Sequence, residues 1–84
     1  PFTQHFHACL PGIAQPVRIT SLFDAQVFAR RWVIRDKDRD LRILLRRLER
    51  ADSSARSYEA IADFKTALMT RGLFNASGDE TAIA

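Results

Sequence analysis

The chain has 84 residues, a net charge of +3, a single cysteine and 10% aromatic side chains. That length accommodates one domain, whose folding buries about 60–65% of the surface that the unfolded chain exposes, so a deep catalytic cleft would take away core that the molecule needs. The lone Cys9 excludes an intrachain disulfide, and nothing approaches the ~20 apolar residues of a membrane span, so the expectation is a cytoplasmic protein with no membrane partner.

The first 20 residues differ in kind from the rest. They hold Pro1, Pro11-Gly12 and Pro16, and they alternate Phe2, Gln4, Phe6, Ala8 and Leu10 against Thr3, His5, His7 and Cys9. Alternation of this sort predicts an extended arm with a turn at Pro11-Gly12. Phe2 and Phe6 then lie on one side, where they can cover a helix.

From Pro16 to Gly72 there is no proline or glycine in between, an interval suited to helices. Ser21 with Asp24 forms a capping box in which Asp replaces the commoner Glu. The helix that follows places Ala25, Phe28, Ala29 and Trp32 on one face, with Leu22 and Val33 at its edge. Phe23, Val27 and Ile34 fall on the opposite side, which predicts a helix buried on two sides. Residues 35–40 are all charged, and Asp36 or Asp38 can cap what comes next, so a break is expected there. In the second helix Leu41, Leu44, Leu45 and Leu48 form an apolar stripe. The turn Asp52-Ser53-Ser54 leads into a third helix that runs to about Arg71, burying Ala60, Ile61, Phe64, Ala67 and Leu68 with Tyr58 and Met69 beside them. Gly72 suits the left-handed position after a helix, and Leu73 can fold back on Leu68.

Charge is unevenly spread. Residues 30–50 carry nine of the thirteen basic side chains against four acids. On a helical wheel Arg39, Arg42, Arg46 and Arg50 fall within about 80° of one another, opposite the leucine stripe. Neighbouring members repel by a few tenths of a kcal/mol, offset in part by expected pairs Asp38–Arg42 and Glu49–Arg46. Arg47 and the preceding Arg30, Arg31, Arg35 and Lys37 extend the patch. Ile43 lies among the arginines, where an apolar side chain has no structural reason to be. Guanidinium forks suit phosphate and carboxylate, so Arg35, Arg39, Arg42, Ile43, Arg46, Arg47 and Arg50 are the candidate binding residues. The competing reading is a solvated helix face, since arginine is a good helix former.

Other constellations carry less. His5, His7 and Cys9 would project together from an extended strand, as metal ligands can, but no further His or Cys exists to complete a site, and the solvent side of an edge strand is the simpler reading. Asp36, Asp38 and Asp40 imitate the opening of a calcium loop, yet Leu41 and Arg47 occupy the positions that need glycine and glutamate. A helix-turn-helix built on the second and third helices would have a recognition helix with no positive bias. Pro1, a terminal secondary amine, is the one feature that suggests an enzyme, of tautomerase type, but such folds need a βαβ unit. No catalytic residues, metal or cofactor are assigned.

The expected architecture is mainly α: an extended arm over residues 1–20, a three-helix domain over 21–74 and a flexible tail over 75–84. The alternative is α+β, with the arm pairing to a short strand near Trp32, because Trp32-Val33-Ile34 is strand-like by propensity. The expected function is a non-enzymatic binding module whose basic helical face, residues 30–50, meets a nucleic acid or an acidic protein. A homo-oligomeric structural protein, a homodimer for instance, is the alternative, and a Pro1-dependent enzyme a remote one.

Overall fold

The computed structural model describes residues 5–75. Among these, the chain order is β1 (Phe6–Ala8), β2 (Val17–Ile19), α1 (Leu22–Asp36), α2 (Arg39–Glu49), α3 (Ser54–Thr70) and β3 (Phe74–Asn75). The arm is a hairpin. Pro11 and Gly12 occupy the centre of its turn, Gly12 at φ +77 and Ile13 N–H donating to the Leu10 carbonyl at 3.0 Å. Proline then glycine at positive φ is the signature of a type II turn.

Strand β1 is central, with β2 and β3 antiparallel on either side of it. The third strand is delivered by the end of α3. There Gly72 takes φ +70, its N–H donates to Met69 O at 3.1 Å, and Leu73 N–H donates to Leu68 O at 2.8 Å. These two bonds make a Schellman cap, which reverses the chain so that Phe74 pairs with Ala8. The protein is therefore mainly helical with a small sheet. The strand alternative near Trp32 is not realised: residues 32–34 stay in α1, and the arm pairs with 17–19 and 74–75 instead. Local β propensity loses to burial. Trp32 is fully buried, and its Nε1–H reaches Asp36 Oδ2 at 2.9 Å one helical turn on.

Helix boundaries follow local chemistry. Ser21 Oγ accepts from Asp24 N–H at 3.1 Å, while the Asp24 carboxylate accepts from Thr20 N–H and Thr20 Oγ1 at 2.9 and 2.8 Å. Those two Thr20 bonds, the backbone one foremost, hold the Asp24 carboxyl below its ordinary pKa. The break between α1 and α2 is sharp. Lys37 adopts the left-handed conformation at φ 52, and Asp38 caps α2 by accepting from Asp40 N–H at 2.8 Å. Ser53 caps α3 through Arg56 N–H at 3.2 Å.

The core is an aromatic cluster around Phe64, whose ring centroid lies 6.0 Å from Phe6, 5.8 Å from Phe28 and 6.4 Å from Trp32. Each such ring contributes ~1.5–3 kcal/mol by burial, and tilted or edge-on pairs add ~0.5–1.5 kcal/mol. Ala25, Phe28, Ala29 and Trp32 from α1, and Leu41, Leu44 and Leu48 from α2, close around it. Two expectations need correction. Helix α1 is buried on one side, with Phe23 and Ile34 at 66% and 72% exposure and Val27 also exposed. Tyr58 and Met69 are likewise exposed. In each case no other element among the described residues packs over that side of the helix. Of the segment read as a tail, Asn75 pairs in β3 and residues 76–84 lie outside the described residues, as do Pro1 and Phe2.

Candidate functional site

Helix α2 owes its orientation to its inner stripe. Leu41, Leu44 and Leu48 are buried and Leu45 half-buried, which turns Arg39, Arg42, Arg46 and Arg50 to solvent. Two tethers hold it laterally. Gln26 of α1 donates to the Leu48 carbonyl at 2.9 Å, satisfying an open group of the last turn, and Arg30 meets Glu49 at 3.1 Å. On the other flank Arg47 pairs with Asp63 at 3.1 Å and Asp38 with Arg71 at 3.4 Å. These cross-links order α2 and α3 head to tail. The Asp40 N–H, followed by the Arg71 guanidinium, keeps the Asp38 carboxyl below its ordinary pKa.

The expected pairs Asp38–Arg42 and Glu49–Arg46 are absent. Both carboxylates turn sideways to partners on α3 and α1, and each supplements a link between helices. Among the described residues, no carboxylate lies within 4.0 Å of the guanidiniums of Arg39, Arg42, Arg46 or Arg50. These four positive charges therefore stand unneutralised along three turns of helix, in mutual repulsion that salt only partly screens. Arg35 sits apart from the ridge, its Nε–H donating to the Pro11 carbonyl at 3.0 Å. Arg47 belongs to the α2–α3 link.

Ile43, 44% exposed, faces a groove of about 630 Å³ between α2 and α3. One wall is Ile43, Arg46, Arg47 and Arg50, and the opposite wall is Arg56, Glu59 and Asp63. Ala51 and the buried Ala60 lie between them. A second depression of about 310 Å³ continues it past Ile43, Arg47 and Asp63 toward Asp40 and Arg71. The α3 wall escaped the sequence reading. A signal was there: residues 56, 59, 60 and 63 stand at i, i+3, i+4 and i+7, one helical face. Nothing local says that this face lies across from the arginines.

The remaining candidates separate. Cys9 is buried with its Sγ–H donating to the Ala14 carbonyl at 3.3 Å, whereas His5 is exposed and accepts from Arg18 at 3.0 Å. Among the described residues no three His, Cys, Asp or Glu side chains are grouped as metal ligands. Nor is their strand at an edge, since β1 is the middle one. His7 is half-buried, and its Nδ1 has no hydrogen-bond partner among the described residues. Among the described residues, no helix is long and apolar enough to cross a membrane. Pro1 lies outside them, so the enzyme alternative has no described geometry. Comparison with protein-family models, with curated proteins and with solved structures finds no match to the chain.

Proposed function

We propose that this chain is a non-enzymatic binding module whose basic helical face, residues 30–50, contacts a polyanionic surface, either a nucleic acid or an acidic protein. One observation carries the reading: Arg39, Arg42, Arg46 and Arg50 are exposed together with no carboxylate of the described residues beside them. A bound polyanion would remove their repulsion and release its own counterions. The leucines of α2, and not Arg39, Arg42, Arg46 or Arg50, hold the helix in place, so this charged side is free for the role.

The test is titration with mixed-sequence duplex DNA and with a polyglutamate peptide over a range of salt. A DNA complex using all four arginines should lose affinity with a log–log slope of about −3 to −4. Arg42→Glu combined with Arg46→Glu should abolish binding while the circular dichroism spectrum is retained. Unchanged binding in that folded variant removes the ridge as the site.

A second reading has its own observation. Phe23, Val27 and Ile34 form an exposed apolar strip on the outer side of α1, the kind of surface through which two copies can pair. Sedimentation at high concentration should then show a dimer, and a monomer removes that reading.

A further inference from the structure

The ridge and the groove beside it differ in what they can hold. The ridge carries charge of a single sign. The groove carries both. Arg46 and Arg50 stand on the α2 side, and on the α3 side Glu59 stands beside Arg56, which is paired with Asp52. No ion pair joins Glu59 to Arg46 or Arg50. Arg47 and Asp63 do meet, an exposed pair that ties the two helices where the groove passes into the second depression. Between the walls lie the half-buried Ala51 and the buried Ala60, with Ile43 at the α2 edge. The alanines leave room, and Ile43 spends almost half of its surface in water although the fold does not need it there.

We propose that the α2–α3 groove receives an acidic amphipathic helix from a partner protein, its apolar side chains against Ile43 and Ala51 and its carboxylates against Arg46 and Arg50. The inference rests on the reading that the basic side of α2 is the working surface, and it selects the acidic protein over the nucleic acid. A phosphate backbone, negative throughout, meets the unpaired Glu59 on the far wall and gains nothing from Ile43. A protein helix presents acids along one edge of its apolar stripe and a base along the other, matching both walls and the floor. The groove volume, about 630 Å³, suits a few inserted side chains.

The probe is a fluorescent 18-residue peptide with leucines at i, i+3, i+4 and i+7, glutamates along one edge and a lysine on the other. A scrambled peptide of the same composition and mixed-sequence duplex DNA accompany it. Binding is read by anisotropy, and the contacted residues by amide chemical shifts of the protein. The expected result is binding of the amphipathic peptide at least tenfold tighter than the scrambled one. Ile43→Glu, at an exposed position, should weaken it tenfold or more, and Met69→Glu, exposed on the side of α3 away from the groove, less than threefold. Shift changes should cluster at residues 43–51 and 56–63. Equal binding of both peptides, or no binding of either, overturns the groove inference. So does DNA binding that depends on Arg42 and ignores Ile43, but that outcome leaves the polyanion reading standing. If Arg42→Glu with Arg46→Glu changes nothing for any probe, both fall.

Discussion

Helices α1 and α2 lie side by side, joined through Lys37 and Asp38, yet they are built on opposite plans. Helix α1 buries the bulky Phe28 and Trp32 in the aromatic cluster and still exposes Phe23, Val27 and Ile34 on its far side. Helix α2 buries leucines and exposes arginines, apart from Ile43. The contrast separates two duties. The inner side of α1 anchors the fold through rings that touch α3 and, by way of Phe64, the sheet. The outer side of α2 contributes nothing that the core requires, so its composition is open to selection for binding.

The comparison can be broken most severely at Trp32. Trp32→Ala should cost about 3–5 kcal/mol, because it empties a fully buried site and strips a ring from Phe28 and Phe64. In a domain of this size that is a large part of the stability, about 4–12 kcal/mol by the usual scaling with length. Urea or thermal melts would read it, and a loss below about 1 kcal/mol would show that α1 is not the anchor.

A smaller effect sits at the start of α1. Asp24→Asn should cost about 1 kcal/mol at neutral pH by weakening the bonds to Thr20. The folded pKa of Asp24 lies below its ordinary value of 3.8, so the charged form favours the native state. Its contribution is present above the unfolded pKa and disappears as pH falls through the folded one. The difference between the parent protein and Asp24→Asn in urea midpoint should therefore shrink from pH 6 to pH 2; a constant difference would assign the cap no electrostatic part.

The smallest change in stability is expected at the ridge. The variant carrying Arg42→Glu and Arg46→Glu should melt within about 0.5 kcal/mol of the parent, since both side chains are exposed and without ion pairs among the described residues. Loss of folding there would mean that the outer side of α2 is structural after all.

Where local chemistry decides, the sequence was legible. Ser21 and Asp24 read as a start, Asp38 as a cap after a break, Gly72 with Leu73 as a stop, and Leu41, Leu44 and Leu48 as an inner stripe. Each depends on residues within one or two helical turns. Elsewhere reading failed in a consistent way. Phe23 and Ile34 are hydrophobic but exposed, because hydrophobicity alone does not say whether a neighbour arrives to cover a face. Cys9 sits in the alternating pattern but is buried, because β1 ends at Ala8 and the hairpin turn begins just after. Glu49 pairs with Arg30 across helices and not with Arg46 on its own helix, which depends on where α1 lies.

From sequence alone came the three helices, their caps and the face of α2 on which Arg39, Arg42, Arg46 and Arg50 stand, since caps and a period of 3.6 residues act over short stretches of chain. The break expected over 35–40 narrows to Lys37 and Asp38. Tertiary structure alone decided which faces meet. It brought Phe74 back to β1, sent the carboxylates of Asp38 and Glu49 away from the ridge, and set Glu59 across a groove from Arg46 and Arg50. Those outcomes depend on how the aromatic cluster around Phe64 seats the helices, a balance of contacts between residues far apart in the chain that no local pattern encodes.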